Sequence, residues 1–224
     1  MILIYITGDT HGEYDRFEEK QLRKLREDDY LIICGDFGFV WDNSEKERAV
    51  LEKIGEKRYM TLFVEGTHEN FSILNSYPVV KRFGGSCRHI CGNLYQLLRG
   101  EIYSIDGSSF FTFGGGDSSD KDLRRKKGTW WKEEEPTLSE MKHAVRNLDK
   151  AGRKVDYIIT HEPSMTDMAL MEGRCRVTPL STFLDEVAKN VSYKDWYFGS
   201  LHKNKTVRQA HCLFTELELL EREP

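Results

Sequence analysis

Residues 61–71 read TLFVEGTHENF. A run of strand-forming residues, 61–66, ends at Gly66 and passes at once into Thr67, His68 and Glu69. Outward from this stretch the pattern repeats. ILIYIT (2–7) runs into GDTHG, YLIICG (30–35) into DFG, VDYIIT (155–160) into HEP, and DWYFG (195–199) into SLHK. Between the first three runs lie two amphipathic segments. Residues 13–27, with Tyr14, Phe17, Leu22 and Leu25 among charges, predict a surface helix. Residues 43–57 predict a second helix, with Asn43 or Ser44 as N-cap. A βαβαβ opening predicts a parallel sheet with right-handed crossovers.

The later chain is less regular. Residues 94–116 hold three short apolar runs split by RG and DGSS, which predicts a meander or hairpin. A long polar loop follows. Thr137 and Glu140 then form a capping box for a helix that stops at Gly152. A further helix is expected near 179–190, and strands over 206–210 and 212–219. No repeat, low-complexity linker or domain boundary stands out, so a single α/β domain over 1–224 with two sheet regions is the economical expectation.

Composition bounds the function. Hydrophobic residues at 39% and charged residues at 31% fit a folded globular chain rather than a disordered one. The net charge of −4 argues against wholesale wrapping of nucleic acid but leaves room for a local basic patch. Five irregularly spaced Cys imply no disulfide framework, and a reducing compartment is the simpler reading. No apolar run has membrane-spanning length. The apolar start is too short for a secretory core and carries no basic leader. A cytoplasmic location, away from membranes, is the expectation.

In α/β sheets, ligands bind outside the carboxyl ends of the strands. Four of the seven His sit at such ends: His11, His68, His161 and His202, together with Asp9 and Asp36. A lone His is more often structural, but this concentration points to a site. Asp oxygens and His nitrogens suit divalent metals of intermediate hardness, such as Mn²⁺, Fe or Zn²⁺. The thiols stay out of it. Cys34 lies inside a strand run, and CRHIC (87–91) is a single cluster with no partner pair for zinc. A metal cluster beside a further His suits hydrolysis: the metal acidifies a water and offsets phosphoryl charge, and a His protonates the leaving group.

At these residues the sequence resembles the calcineurin-like metallophosphoesterases. The family pattern is D-x-H, G-D, G-N-H-[ED], a His after a strand, and G-H-x-H. Here these are Asp9-Thr10-His11, Gly35-Asp36, Gly66-Thr67-His68-Glu69, Thr160-His161 and Gly199-Ser200-Leu201-His202, in the right order over residues 8–202. The resemblance implies two packed, mixed β-sheets flanked by helices, with a dinuclear site at the sheet ends; for this chain one or two divalent metal ions, Mn²⁺ foremost, are expected. It implies that Asp9, His11, Asp36 and His202 hold the first metal and that Asp36 bridges to a second, which His161 also ligates. It implies that His68 contacts the phosphate and assists the leaving group.

Two positions depart from the pattern, and both belong to the second metal: Thr67 stands for Asn, and Ser200 for His. A neutral hydroxyl is a poor ligand beside an amide oxygen or an imidazole, so a firm first site and a weak second one are expected. GDFGFVWD also lacks the phosphate-gripping Arg of protein phosphatases, which weakens that reading. The basic stretch 120–131, with Lys121, Arg124, Arg125, Lys126 and Lys127 before two Trp, suits phosphates and stacked bases. Arg124 and Arg125 are therefore candidate substrate contacts. The expected partner is a phosphate-ester substrate, with a nucleotide or nucleic acid among the candidates. The alternative reading is a degenerate member that keeps the fold as a binding module.

Overall fold

A computed structural model describes residues 2–220. The ends of the expected 1–224 domain, Met1 and residues 221–224, lie outside the described residues.

The chain opens with strands β1 (Ile4–Thr7), β2 (Tyr30–Cys34) and β3 (Met60–Val64), with helix α1 (Glu45–Gly55) before β3. Helix α2 (Phe71–Leu74) and strands β4 (Val79–Arg82), β5 (Gly85–Cys91) and β6 (Leu94–Leu97) follow. Next come the hairpin β7 (Ile102–Ile105) and β8 (Ser108–Phe113), then helices α3 (Lys121–Lys127) and α4 (Leu138–Lys150). Strand β9 (Tyr157–Thr160), helices α5 (Met165–Glu172) and α6 (Pro179–Asn190), and strand β10 (Asp195–Phe198) come before the last short strands. These are β11 (Lys205–Val207), β12 (Ala210–Cys212) and β13 (Glu218–Leu219).

The strands form two mixed sheets flanked by helices. The seven-stranded sheet has the order β13-β1-β2-β3-β6-β5-β4, and the six-stranded sheet β11-β12-β10-β9-β8-β7. Strands β1, β2, β3 and β6 are parallel, as are β8, β9, β10 and β12. The edge pairs are antiparallel.

Period-2 alternation distributes the core. Ile4, Ile6, Ile32, Cys34, Leu62 and Val64 point between the sheets, where they meet Phe110, Tyr157, Ile159 and Tyr197. The intervening Leu31, Ile33 and Phe63 face outward onto Leu51 and Ile54 of α1 and onto Phe17 and Leu22. On the second sheet, Phe111, Phe113, Ile158 and Trp196 face outward onto Ala144 and Leu148 of α4 and Leu180 and Leu184 of α6. Both faces of each central strand are therefore buried, which is why the strands read as near-continuous apolar runs.

The local signals set several ends as expected. Ser44 caps α1 by accepting from Glu47 N, and Thr137 and Glu140 cap α4 reciprocally. Three expectations change. Residues 13–27 form two short 3₁₀ turns, Tyr14–Glu18 and Leu22–Lys24, rather than one helix. The five-residue step from Phe17 to Leu22 breaks the helical phase, so one helix cannot bury both, and here both are buried. The 94–116 segment is not one meander. β6 joins the first sheet parallel to β3, and only β7–β8 is a hairpin, in the second sheet. The 212–219 run splits into the end of β12 and β13, which lie in different sheets.

His211 sits beside that split. Its Nδ1 lies 3.0 Å from Glu218 Oε1 and its Nε2 3.2 Å from Asp195 Oδ1. Burial opposes charge on the ring, but these carboxylates raise its pKa above the ordinary value. The charged pairing therefore stabilises the fold fully below the unfolded pKa of about 6.5 and is lost as pH rises through the folded value. The melting-temperature gap between wild type and His211→Gln should shrink as pH rises from about 6 to about 9; a gap independent of pH would refute the pairing. Between the sheets, Phe110→Ala should cost about 3–5 kcal/mol, read from the denaturant midpoint.

Candidate metal centre

The site lies where β1, β2 and β3 of one sheet and β9 and β10 of the other release their carboxyl ends. Their loops are cross-linked. Thr10 N and His11 N both donate to Asp36 O, at 3.1 and 2.8 Å. Gly199 N and Ser200 N donate to His161 O, at 3.2 and 3.1 Å. The first pair of bonds ties β1 to β2, and the second ties β9 to β10.

Glycines make room for the site's side chains. A Cβ on Gly35 would stand 2.1 Å from His161 Nδ1, one on Gly66 2.1 Å from Asp36 Oδ1, and one on Gly199 1.9 Å from Asp9 Oδ1. Each of these three glycines is thus a steric requirement of a side chain from another strand. Three site residues also take the left-handed backbone that non-glycine residues avoid: His11 (φ 46°), Asp36 (φ 36°) and His202 (φ 50°). Such strain costs of order 1–3 kcal/mol per residue and persists where surrounding contacts over-determine it.

Asp9, His11, Asp36 and His202 converge, with one ligand atom of each within 4.8 Å of every other. His202 Nε2 is 3.0 Å from Asp9 Oδ2 and 3.0 Å from His11 Nε2. His161 is 3% exposed and lies behind them, with Nδ1 3.5 Å from Asp9 Oδ1 and Nε2 3.7 Å from Asp36 Oδ1. His68 Nδ1 is 2.6 Å from Asp36 Oδ2. Thr67 Oγ1 lies 3.3 Å from His68 Nδ1, and Ser200 borders the same cleft.

The electrostatics follow from this crowding. Burial works against charge on Asp36, but His161 and His68 beside it, with the N–H groups of Thr67 and His68 on Oδ1, hold its carboxyl far below the carboxylate range. Burial also opposes charge on His161, yet Asp36 and Asp9 push its pKa up to about 10. For His11, burial outweighs the same carboxylates and lowers its pKa.

The donor set fits a divalent cation. Both carboxylate oxygens of Asp9, His161 Nδ1 and Ser200 Oγ are buried without a hydrogen-bond partner of good geometry. Buried polar atoms are normally satisfied. Here the orphans gather around a cluster of hard oxygens and imidazoles, which are the ligand types of Mn²⁺, Fe and Zn²⁺.

Two supporting groups escaped sequence reasoning. Glu69 is fully buried, and its carboxylate accepts from Phe37 N (2.7 Å), Gly38 N (3.4 Å) and Gly66 N (3.0 Å). It fastens the β2 loop to the β3 loop, and its place directly after His68 was the available signal. The Arg16 guanidinium, on the first 3₁₀ turn, reaches back to Thr7 Oγ1, Asp9 O and Phe214 O.

A cleft of about 400 Å³ opens on the cluster. Asp36, Thr67, His68, His161, Ser200 and His202 line it together with Asp117, Asp120, Glu162 and Arg176. Arg124 and Arg125 are not in its lining. The expected polar loop contains α3, which turns Arg124 inward. The Arg124 guanidinium is 5% exposed, paired to the buried Glu134 and donating to Thr129 O. Arg125 stacks over Trp130, 4.1 Å from the ring centroid. CRHIC is strand β5: Cys87 is in the inter-sheet core, and Cys91 Sγ donates to Leu51 O.

Two mixed sheets carrying an Asp/His cluster at the ends of their parallel strands define an α/β protein with a site fit for a divalent metal. The chain belongs to the calcineurin-like phosphoesterase family, whose model matches residues 2–202. A crystal structure of a phosphopantetheinyl hydrolase from Mycobacterium tuberculosis aligns with a TM-score of 0.41 and 13% identity, covering 99% of this chain and 96% of that one. No curated protein matches the chain.

A metal that binds only the folded state stabilises it by about 2.7 kcal/mol at a hundredfold excess over its Kd. Mn²⁺ should therefore raise the melting temperature, and a chelator should reverse the rise. Asp9→Asn should abolish the metal-dependent rise and also lower the stability of the metal-free protein, because His202 and His161 lose the buried carboxylate they face. Scanning calorimetry with and without metal checks both.

Proposed function

We propose that this chain is a metal-dependent phosphoric ester hydrolase, folded as a single domain and acting in the cytoplasm. The observation that carries the reading is the convergence of Asp9, His11, Asp36 and His202 at the strand ends, with one ligand atom of each within 4.8 Å of every other. Asp9, His11, Asp36 and His202 would hold the first metal, Mn²⁺ foremost. When bound, the metal would neutralise charge on the phosphoryl oxygens and make a water more acidic. Phosphodiester, nucleotide and phosphomonoester substrates all fit this chemistry.

The protein groups supply orientation and proton handling. Asp36 Oδ2 holds His68 Nδ1, which fixes the ring and leaves Nε2 as the nitrogen that exchanges a proton with the leaving oxygen. The hydrogen bond to Asp36 also raises the His68 pKa, which favours the protonated ring. Glu69 holds the loop that carries His68. His161 and Asp36 would hold a second metal, and Thr67 and Ser200 in place of an amide and an imidazole would weaken it. No helix among the described residues is long and apolar enough to cross a membrane.

Thr67 and Ser200 also favour a second reading, a binding module that keeps the metal but turns over little. Metal content, followed by hydrolysis of aryl phosphomono- and diesters with Mn²⁺, separates the two. Asp9→Ala should abolish turnover, and His68→Ala should lower kcat by about 10²–10⁴-fold. Thr67→Asn with Ser200→His should raise the metal content from about one ion toward two. Metal bound without turnover would favour the binding module, and turnover that survives Asp9→Ala would place the chemistry elsewhere.

A further inference from the structure

The cleft presents an electrostatic problem to a phosphate. Beyond the metal cluster its lining carries Asp117, Asp120 and Glu162, and the one permanently charged cation in that lining, among the described residues, is Arg176. The basic residues of α3 do not line it, although Arg124 donates to Ser118 at its edge. Arg124 is committed to a buried pair with Glu134, and breaking such a pair would leave an uncompensated buried charge.

Arg176 differs from Arg124 in the way that matters for exchange. It lies on the loop between α5 and α6, and its backbone is held because Ser181 Oγ donates to Arg176 O at 2.8 Å. Its side chain is 53% exposed. The guanidinium makes two contacts to one residue: Nη1 donates to Asp117 O at 2.7 Å, and Nη2 lies 2.9 Å from Asp117 Oδ2. An ion pair this exposed is weak and cheap to exchange. A guanidinium fork also matches two phosphate oxygens better than one carboxylate oxygen and a carbonyl. Asp117 is held independently, since its N–H donates to Glu162 Oε1 at 2.8 Å.

Resting on the hydrolase reading above, we infer that Arg176 is the specificity-determining cation of this site. It leaves Asp117 to grip the phosphate of a phosphomonoester whose leaving group carries no further phosphate. The dianion of a monoester gains most from an added cation, whereas a diester carries a single charge. The freed Asp117, with Asp120 and Glu162, then repels additional phosphates, which sets nucleoside polyphosphates and nucleic acids at a disadvantage.

The test uses the Mn²⁺-loaded protein with 4-nitrophenyl phosphate, its bis-ester and inorganic phosphate. Arg176→Gln should raise KM for the monoester and the inhibition constant of inorganic phosphate by about tenfold, with most of the loss in KM rather than kcat. The bis-ester KM should move less. Arg176→Lys, which keeps the charge without the fork, should recover part of the loss. Asp117→Asn, which removes the competing anion, should tighten phosphate or leave it within about twofold. Equal weakening by Arg176→Gln and Asp117→Asn would make the pair a structural strut and overturn the inference. Phosphate affinity unchanged in Arg176→Gln would also overturn it while leaving the hydrolase reading standing. Turnover insensitive to Asp9→Ala would sink the hydrolase reading instead. If neither ester turns over, calorimetric binding of phosphate carries the same comparison, and its absence in the wild type overturns both.

Discussion

The Asp36 carboxylate is the joint on which the rest of the site depends. It is 2% exposed, so its charge exists only because the surroundings support it. Oδ1 receives the N–H groups of Thr67 and His68 from the third strand's exit and faces His161 across the seam between the sheets. Oδ2 receives His68 Nδ1. The Asp36 carbonyl meanwhile accepts from Thr10 and His11 on the first strand's exit. One residue thereby sets the spacing of the β1, β2 and β3 loops. Gly66 is required beside it, because any Cβ there would collide with Oδ1.

This constraint explains where strain and unsatisfied polarity accumulate. Left-handed backbone at His11, Asp36 and His202 turns each side chain back toward the cluster within one residue of its loop. Buried atoms of Asp9, His161 and Ser200 that lack a well-formed hydrogen bond cost stability as they stand. A fold optimised for stability alone would satisfy or remove them. Their concentration in one place is intelligible if a cation completes the set. The network around Glu69 and Arg16 has the opposite character. Those side chains bond mainly to backbone groups, and they hold the loops that the strained residues bend.

The two arginines singled out in the basic stretch show how a charge changes its role with burial. In the sequence, Arg124 and Arg125 are members of a cationic run. In the fold, α3 turns Arg124 onto Glu134 and lays Arg125 over Trp130. Arg176 has no charged run around it to attract notice, yet the loop between α5 and α6 delivers it to the cleft. Helix α5 was equally silent, because its apolar residues are not confined to one face and give no periodic signal.

The sequence by itself determined the strands that end in the site and the donors they carry. Five apolar runs closing on Asp, His and Gly were enough to put Asp9, His11, Asp36, His68, His161 and His202 at strand ends, because strand periodicity and chain order are local properties; that those strands divide between two sheets was not legible in the runs. The capping box at Thr137 and Glu140 was legible for the same reason. Only the tertiary structure decided that β6 leaves its neighbours for the first sheet, that residues 13–27 wrap as 3₁₀ turns, and that Glu69 binds backbone rather than a ligand. It alone decided which arginine meets the cleft. Those outcomes depend on partners distant in the chain, such as Glu134 for Arg124, Asp117 for Arg176 and the Phe37 amide for Glu69, and no local pattern encodes a distant partner.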